Sequence, residues 1–315
     1  SLRCAPAGDD VRRSYSVCSA AGSGRLRIAV KVLPGGVFST YARGQLRPGD
    51  VLDVVTPTGH FNVPLDPAIA RRYVMIAAGS GIAPIFSIVA TVLEREPRSS
   101  VVLLYGNRTV ADIMFLEELE DLKNVYPERF ALYHVLSREE QEVPLFHGRI
   151  DAERFREFLD GLIAREEVDE WFLCGPHSLI EAVKSVLAER GVDARHVHAE
   201  LYHTESVELA RGRTTVEAAP SGETSKVEIV LDGRRSSFAM SRSGERVLDA
   251  ALRVRSDAPY ACKGGVCGTC RAKLVEGTVE MEHTYALEQS EIDAGYVLAC
   301  QSHPTSEKLI LDFDE

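Results

Sequence analysis

The chain has 315 residues, of which 45% are hydrophobic, and it is acidic, with 36 Lys and Arg against 47 Asp and Glu and a formal net charge of −11. This length is sufficient for about two or three domains, each with its own core. The acidic balance argues against a nucleic-acid partner, because binding to phosphates requires clustered positive charge.

The N-terminal residues 1–70 combine glycine, proline and short apolar runs, including 26–32 and 51–56. Short β-type runs between turn residues are typical of antiparallel strands. We therefore expect antiparallel β-structure here, in a segment too short for a complete domain.

Residues 71–203 alternate between two kinds of segment. One kind is a short continuous apolar run, as expected of strands buried on both faces, and the other has apolar residues three and four positions apart, as in helices. This alternation predicts an α/β domain with a parallel sheet. The predicted strands are 73–77, 101–105, 130–136, 171–173 and 196–202, and the predicted helices are 84–94, 113–123, 151–164 and 176–190.

Residues 73–93 contain no charge over a length that would span a membrane. Gly79, Gly81 and Pro84 lie in the middle of this run, where they favour a turn followed by a helix. We therefore predict a buried strand, a turn and a helix, and no membrane partner.

A change of composition marks the boundary of a C-terminal domain. Residues 204–225 are mostly Thr, Glu, Ala, Gly and Ser, which is typical of a flexible linker. Beyond them, 227–238 predict a hairpin around an Asp-Gly turn, and 247–253 predict a helix. We expect a separate small domain over residues 226–315.

Four of the seven cysteines lie in this last domain. Cys262, Cys267 and Cys270 follow the pattern C-x4-C-x2-C, and Cys300 comes after twenty-nine further residues. This is the plant-type arrangement for a 2Fe-2S cluster, in which four thiolates hold two irons. A structural zinc site is the alternative, but it usually uses two close pairs of ligands. Seven cysteines in a long chain also favour a reducing compartment over a disulfide framework.

The residues around these cysteines resemble a known family. Residues 259–270, Pro-Tyr-Ala-Cys-Lys-Gly-Gly-Val-Cys-Gly-Thr-Cys, and 295–300, Gly-Tyr-Val-Leu-Ala-Cys, resemble the plant-type ferredoxin domains fused to oxygenase reductases. Along its whole length the chain resembles the reductase subunits of bacterial phenylacetyl-CoA epoxidases, within the ferredoxin-NADP reductase superfamily. The resemblance implies a β-grasp fold for the ferredoxin domain.

Two N-terminal segments are similar to the flavin motifs of this superfamily. Residues 13–16 read Arg-Ser-Tyr-Ser, and the resemblance implies that Arg13 pairs with flavin phosphate, Tyr15 packs on the isoalloxazine and Ser16 faces N5 as a catalytic residue. The forked donors of arginine and the flat tyrosine ring suit these roles. Without that context the segment would be an ordinary exposed β-edge.

Residues 35–39, Gly-Gly-Val-Phe-Ser, are similar to the segment that holds the flavin pyrophosphate. The resemblance implies that Gly36 offers a backbone N–H group and Ser39 a hydroxyl. An ordinary glycine turn is the alternative. FMN in place of FAD also stays open.

Two further motifs resemble the nicotinamide site of these reductases. Gly79, Gly81 and Pro84 belong to a Gly-Ser-Gly-Ile-Ala-Pro element between the first predicted strand and helix, where a pyrophosphate can approach the backbone. A Cys-Gly-Pro element follows a later strand, and it consists of Cys174, the second catalytic candidate, Gly175 and Pro176. Both elements lie at the carboxyl ends of strands, where open α/β sheets bind ligands.

Three more residues are candidates for this site on similar grounds. Ser137 and Arg138 resemble the Ser-Arg pair that binds the 2′-phosphate of NADPH, and Arg108 follows the neighbouring strand. The alternative is a solvated loop neutralised by the two glutamates that follow Arg138. Tyr202 is a candidate cover for the flavin ring and fits sheet packing equally well.

The grouped histidines His196, His198 and His203 do not predict a metal site, since no carboxylate joins them at ligand spacing.

The resemblance thus implies a multidomain α/β plus β protein that passes electrons from NADPH through FAD and a 2Fe-2S cluster to a di-iron oxygenase in the cytoplasm. Family members carry several strands before the flavin motif, whereas only residues 1–12 precede it here. We therefore expect a partial antiparallel flavin-binding barrel with its N-terminal strands missing. The reductase of another aromatic-ring or steroid hydroxylase, or a ferredoxin-type carrier with a non-functional flavin domain, stays the alternative.

Overall fold

The computed structural model describes residues 1–4, 11–33, 35–57, 59–163, 168–203 and 224–315. The chain divides into two compact units. The β unit contains Ser1–Ser14, Val32–Gly59 and Glu205–Glu315, and the α/β unit contains Tyr15–Lys31 and His60–Thr204. Among the described residues, no helix has the length and apolar character needed to cross a membrane.

The N-terminal part of the β unit forms a small antiparallel sheet. Its strands are β1 (Leu2–Cys4), β2 (Val11–Arg13) and β3 (Asp53–Val54), in the order β2-β1-β3. A helix, α1 (Val37–Gly44), precedes β3 and was not expected from the sequence.

The two β-runs predicted in this N-terminal region are largely wrong. The run 51–56 contributes only the two residues of β3, and 26–32 contributes one isolated bridge, between Val17 and Ile28. A segment forms a strand only if a neighbouring strand pairs with its backbone, whatever its β-propensity. In the run 26–32, a side chain instead contacts a residue far along the sequence. Arg27 pairs with Glu118 at 2.7 Å.

The α/β unit is built on a five-stranded parallel sheet in the order β6-β5-β4-β7-β8. The fold class predicted for this region is therefore confirmed. The strands are β4 (Arg72–Ala78), β5 (Ser100–Asn107), β6 (Phe130–Leu136), β7 (Glu170–Pro176) and β8 (Val197–His203), and the helices are α2 (Ile82–Arg95), α3 (Leu116–Val125), α4 (Ala152–Gly161) and α5 (His177–Glu189).

The central strands of this sheet, β4, β5 and β7, are mostly apolar because both of their faces are covered. Along β4, Val74 and Ile76 face the core that contains Phe155 of α4. Met75 faces the opposite core, which contains Val89 of α2. This alternation follows from the two-residue period of a strand.

The predicted helices agree with the structure except at their ends. Helix α2 begins at Ile82, two residues before the predicted start, and Pro84 lies in its first turn, where no backbone N–H bond is lost. Helix α3 begins at Leu116, three residues late, because a 3₁₀ turn and the left-handed Phe115, with φ of 59°, come first. Asp151 caps α4 by accepting from the Arg154 amide at 3.0 Å.

The C-terminal part of the β unit contains a mixed five-stranded sheet in the order β10-β9-β15-β11-β13 and a two-stranded sheet, β12-β14. The strands are β9 (Thr224–Leu231), β10 (Arg234–Ser241), β11 (Arg271–Glu276), β12 (Val279–Met281), β13 (Tyr296–Leu298), β14 (Ser302–Pro304) and β15 (Lys308–Asp312), and the helices are α6 (Val247–Val254) and α7 (Gln289–Asp293).

The predicted hairpin joins β9 and β10. Its turn residues Asp232 and Gly233 have φ of 52° and 67°, as a type I′ turn requires. The Asp314 carboxylate accepts from both of their amides, at 2.7 and 2.8 Å. The predicted linker 204–225 lies outside the described residues except for its last two positions, which begin β9.

Candidate functional site

The loop between β4 and α2 is shaped by two glycines with different functions. Gly79 has φ of +54°, and the space that a side chain would take there is open. At Gly81, a Cβ atom would lie 2.3 Å from the carbonyl oxygen of Cys174, so only glycine lets the loop approach β7 this closely. The Tyr105 hydroxyl donates to the Gly79 carbonyl at 2.9 Å. The result is a fixed loop with bare backbone on its open side, which suits a pyrophosphate.

Cys174 lies at the carboxyl end of β7, between β4 and β8. It is fully buried, and its register partners are Ala77 and Glu200. Burial, together with the negative charge of Glu200, raises the pKa of this thiol well above its usual value. Cys174 is therefore a neutral thiol, and a neutral thiol is a poor nucleophile. The following Gly175 keeps the strand end close to Ala78, since a Cβ there would lie 3.2 Å from that residue's own Cβ.

A polar group forms beside Cys174. The Ser16 hydroxyl donates to Glu200 Oε1 at 2.7 Å. Burial raises the pKa of Glu200 even though this hydrogen bond stabilises its charged form. Burial also raises the pKa of the Tyr202 hydroxyl, with smaller effects from Cys174 and Glu200. The structure therefore brings the sequence candidates Ser16, Cys174 and Tyr202 together.

Glu200 was not among the residues predicted for the site. It lies two residues before Tyr202 on β8, so both side chains emerge on the same face of the sheet. This two-residue period was the available signal. A hydroxyl hydrogen-bonded to a partly buried carboxyl can hold a proton and release it, which neither Cys174 nor Tyr202 does readily at neutral pH.

The nucleotide-phosphate candidates lie at the neighbouring edge of the same sheet. The Arg138 amide donates to the Arg108 carbonyl at 2.8 Å, which brings the two loops together. Both arginines are exposed, and among the described residues neither guanidinium has a carboxylate partner. Glu139 forms no ion pair with Arg138 in the described part of the chain, and its carboxylate accepts from the Val110 amide at 2.9 Å.

The flavin-phosphate candidates lie in the β unit. Arg13 ends β2, and its guanidinium donates to the Arg12 carbonyl at 2.7 Å. The buried Ser39 hydroxyl accepts from the Leu33 amide at 3.2 Å and donates to the Gly36 carbonyl at 3.3 Å. Ser39 thus stabilises its own loop, a function that the sequence did not indicate. The backbone N–H groups in the first turn of α1 have no acceptor within the helix, and such groups suit a phosphate.

The four cysteines predicted to hold the cluster lie in two pairs. The Cys262 thiol donates to Cys267 and lowers its pKa to about 5. The Cys270 thiol likewise donates to Cys300 and lowers its pKa. Among the described residues, no three ligand-type side chains converge on one metal ion. Two pairs of thiols fit a cluster of two irons, each with two cysteine ligands, better than they fit a single zinc ion.

The loop that carries these cysteines surrounds them with hydrogen-bond donors. The Gly264 amide donates to Cys262 Sγ at 3.3 Å, and Gln301 Nε2 donates to Cys300 Sγ at 3.4 Å. The conformation depends on left-handed residues, since Lys263, Gly265 and Gly268 have φ of 53°, 76° and 64°. Donors directed at the sulfurs stabilise thiolates and therefore fit a bound cluster.

The histidines illustrate a contact that linear spacing hides. Glu170, on the neighbouring strand β7, contacts His196 at 3.3 Å and His198 at 2.9 Å. No carboxylate lies at ligand spacing in the sequence, but the fold brings one to both histidines from the neighbouring strand. The three side chains still do not form a group able to hold a metal ion within the described residues.

Comparison with protein families assigns three parts of the chain. Residues 1–63 match the oxidoreductase FAD-binding domain, 75–185 the oxidoreductase NAD-binding domain, and 229–305 the 2Fe-2S iron-sulfur cluster binding domain. The fold and these matches define a flavin- and nicotinamide-dependent reductase with an iron-sulfur domain. The predicted cofactor classes are confirmed.

The relatives narrow this class. The chain is 41% identical, over 98% of its length, to a subunit of the 1,2-phenylacetyl-CoA epoxidase of Escherichia coli K12, and it covers 85% of that protein. It is 30% identical, over 96% of its length, to the ferredoxin reductase component of 3-ketosteroid-9-alpha-monooxygenase of Rhodococcus rhodochrous, covering 83% of it. The chain belongs to the NAD(P)H-dependent oxygenase reductases of the ferredoxin-NADP reductase type, whose partners are the other components of the oxygenase.

A solved structure shares the same fold. It is an intact type IV self-sufficient cytochrome P450 monooxygenase, with a TM-score of 0.65 and 25% identity. The match covers 98% of this chain but only 36% of that protein.

Proposed function

We propose that the chain is the reductase of a phenylacetyl-CoA epoxidase, carrying electrons from NADPH through FAD and a 2Fe-2S cluster to a di-iron oxygenase in the cytoplasm. The observation that carries this proposal is the 41% identity to the Escherichia coli epoxidase protein, over 98% of the chain. The cysteine ligands, which need a reducing compartment, support the location.

When bound, the nicotinamide supplies a hydride, the flavin stores two electrons and the cluster passes them on singly. The protein's task is then to bind and orient these groups. In the α/β unit, the Gly79–Gly81 loop would hold the pyrophosphate of the nicotinamide nucleotide, with Pro84 shaping the first turn of the helix behind it, while Arg108, Ser137 and Arg138 would hold the 2′-phosphate. In the β unit, Arg13, Gly36 and the loop that Ser39 stabilises bind the flavin phosphates.

The group around Glu200 acts at the reacting end of the site. Tyr15 and Tyr202 provide aromatic faces for planar rings. Ser16 and Glu200 hold the proton that accompanies electron transfer at the Ser16 hydroxyl. The Cys-Gly-Pro turn, Cys174 to Pro176, gives the nicotinamide a buried, uncharged surface, and the neutral thiol fits that purpose because it competes for neither proton nor hydride.

The test combines spectra with product formation. The purified protein should show flavin and iron-sulfur absorption, and NADPH should bleach both under anaerobic conditions. With the oxygenase subunits of a phenylacetyl-CoA epoxidase, phenylacetyl-CoA and oxygen, it should support formation of the epoxide. Cluster absorption alone, without any response to NADPH, would instead indicate a ferredoxin-type carrier. Turnover only with a 3-ketosteroid oxygenase would identify the second relative's system.

A further inference from the structure

Arg12 is a buried arginine whose partners lie far along the chain. Its side chain is 8% exposed, and its two terminal nitrogens donate to the carbonyls of Ser256 and Ala258, each at 3.0 Å. The guanidinium also lies 4.5 Å from the ring centroid of Tyr260. A planar fork held by two carbonyls and an aromatic face fixes both distance and orientation, as a lysine at this position would not.

The segment that Arg12 holds leads directly into the cluster-binding loop. Ala258 precedes the first cluster cysteine, Cys262, by four residues. A second connection reaches the other end of the loop, from Ser14 through the Ser1 hydroxyl to Thr269, with oxygen separations of 2.9 and 3.0 Å.

This second connection ends at the cluster site itself. Thr269 Oγ1 shares a hydrogen bond of 3.2 Å with Cys267 Sγ. Strand β2 and the residue after it are therefore joined to both ends of the loop that carries Cys262, Cys267 and Cys270. The next residue after Arg12 is Arg13, the proposed ligand of the flavin phosphate.

A buried guanidinium carries a desolvation cost, and apolar residues often stabilise a fold as well or better. What the arginine adds is a single defined geometry. Electron transfer between two cofactors depends steeply on their separation, so a protein that transfers electrons internally benefits from such a fixed contact.

We propose that Arg12 is a positioning residue for electron transfer, setting the cluster-binding loop at a fixed distance from the strand that ends in the flavin-phosphate ligand. This inference rests on the proposed function, because it takes the flavin as the electron donor. The hydride from NADPH brings two electrons and one proton to the flavin. The electrons would then leave one at a time, each converting one ferric iron of the oxidised cluster to ferrous iron and passing on to the acceptor before the next arrives, and the single proton would be released to solvent.

The experiment compares Arg12→Ala and Arg12→Lys with a control, Arg234→Ala, which removes an exposed arginine of the same unit. Hydrogen exchange of a peptide covering residues 256–262 measures the contact directly. Anaerobic rapid mixing with NADPH then separates flavin reduction from cluster reduction, and visible circular dichroism checks that the cluster is assembled.

In Arg12→Ala we expect faster hydrogen exchange in this peptide. The rate of flavin reduction should be unchanged, whereas the rate of cluster reduction should fall roughly 10- to 100-fold, as it does when reacting groups are slightly misplaced. Arg12→Lys should be intermediate, and Arg234→Ala should match the unmodified protein.

Unchanged cluster reduction in Arg12→Ala, or equal slowing of both phases, would overturn the inference. If Arg12→Ala does not assemble its cluster, the test is made with Arg12→Lys. A rate of cluster reduction in Arg12→Lys equal to that of the unmodified protein would then overturn the inference. Failure of NADPH to reduce the flavin of the unmodified protein would overturn the proposed function instead, while hydrogen exchange would still test the contact.

Discussion

The Ser16 hydroxyl and the Glu200 carboxylate are hydrogen-bonded at 2.7 Å although 184 positions separate them in the sequence. The contact joins the short N-terminal segment of the α/β unit to the carboxyl end of β8. It connects a residue of the proposed flavin motif to the one acidic side chain found beside Cys174 among the described residues.

Glu200→Gln tests the ionisation of this carboxyl. Burial raises the pKa of Glu200, so the folded state holds the proton more tightly than the unfolded state does. The stability that protonated Glu200 contributes is therefore fully present below the ordinary pKa of glutamate. It is lost as the pH rises through the pKa of Glu200 in the folded protein. We expect the melting temperature of the glutamine variant to depend less on pH in that window. A matched control is Glu153→Gln on α4, and identical pH curves for the Glu200 variant and the unmodified protein would contradict the prediction.

Replacing the two loop glycines by alanine should separate strain from steric overlap. Gly81→Ala places a methyl group 2.3 Å from the Cys174 carbonyl, and such overpacking costs about 1–3 kcal/mol of unfolding free energy. Gly79→Ala meets no atom but forces a left-handed residue, at about 1–2 kcal/mol. Only Gly81→Ala should also displace the end of β7 and raise KM for NADPH. Urea unfolding and steady-state kinetics measure both effects, and Gly161→Ala, where the space is open, is the control. Equal KM values in the two loop variants would argue against this assignment.

Arg138→Ala should distinguish NADPH from NADH. The Arg138 guanidinium is exposed, and the carboxylate of its neighbour Glu139 accepts a hydrogen bond from the Val110 amide. The guanidinium can therefore contact the 2′-phosphate. A charge-assisted hydrogen bond of about 1.5–3 kcal/mol corresponds to roughly 10- to 150-fold in kcat/KM for NADPH. Activity with NADH should change little, and Arg25→Ala, an exposed arginine of the same unit, should change neither. Equal losses with both nucleotides would show that Arg138 does not read the 2′-phosphate.

Cys300→Ser should disrupt electron transfer to the acceptor while flavin reduction survives. Cys300 is paired with Cys270 in the buried half of the cysteine group, and serine does not replace a thiolate ligand effectively. Iron content and rapid mixing with NADPH are the measurements. Cys18→Ala removes a buried thiol outside the group and should leave iron content unchanged. Unaltered cluster absorbance and acceptor reduction in Cys300→Ser would refute the four-thiolate site.

The ferredoxin domain carries an acidic stretch that should help to dock a basic patch on the oxygenase, formed by Glu280, Glu282, Glu288, Glu291 and Asp293. The structure restricts which of these carboxylates are available. Glu282 and Glu291 form ion pairs within the domain, with Arg246 and Arg271 respectively, whereas Glu280 is exposed on β12. We expect Glu280→Lys to slow electron transfer to the partner roughly 2- to 10-fold at low salt, less at high salt. Glu153→Lys in the other unit serves as the control. A rate insensitive to salt would exclude electrostatic steering.

The sequence predicted best where local pattern and tertiary environment agree. Strand β6 was predicted to the residue because a short, mostly apolar run bounded by polar residues is typical of a strand. The cysteine loop was equally readable, since its spacing is imposed by the cluster chemistry.

Contacts between distant segments could not be predicted in this way. No sequence pattern singles out Arg12, because its partner Ala258 lies 246 positions away. Ser39 is predicted to offer its hydroxyl to the flavin pyrophosphate, and the sequence did not indicate that this buried hydroxyl also bonds to Leu33 and Gly36 within its own loop.

The position of β15 has a consequence for biosynthesis. It is the last strand in the sequence, and it lies between β9 and β11, so the two halves of the five-stranded sheet meet only through it. While the chain is being synthesised, all four cluster cysteines are translated before the strand that completes their sheet. Long-range pairing of this kind forms late in folding. The thiols therefore belong to an unfinished domain until residues 308–312 have left the ribosome, and the sheet that supports the cluster-binding loop is completed only when β15 has been added.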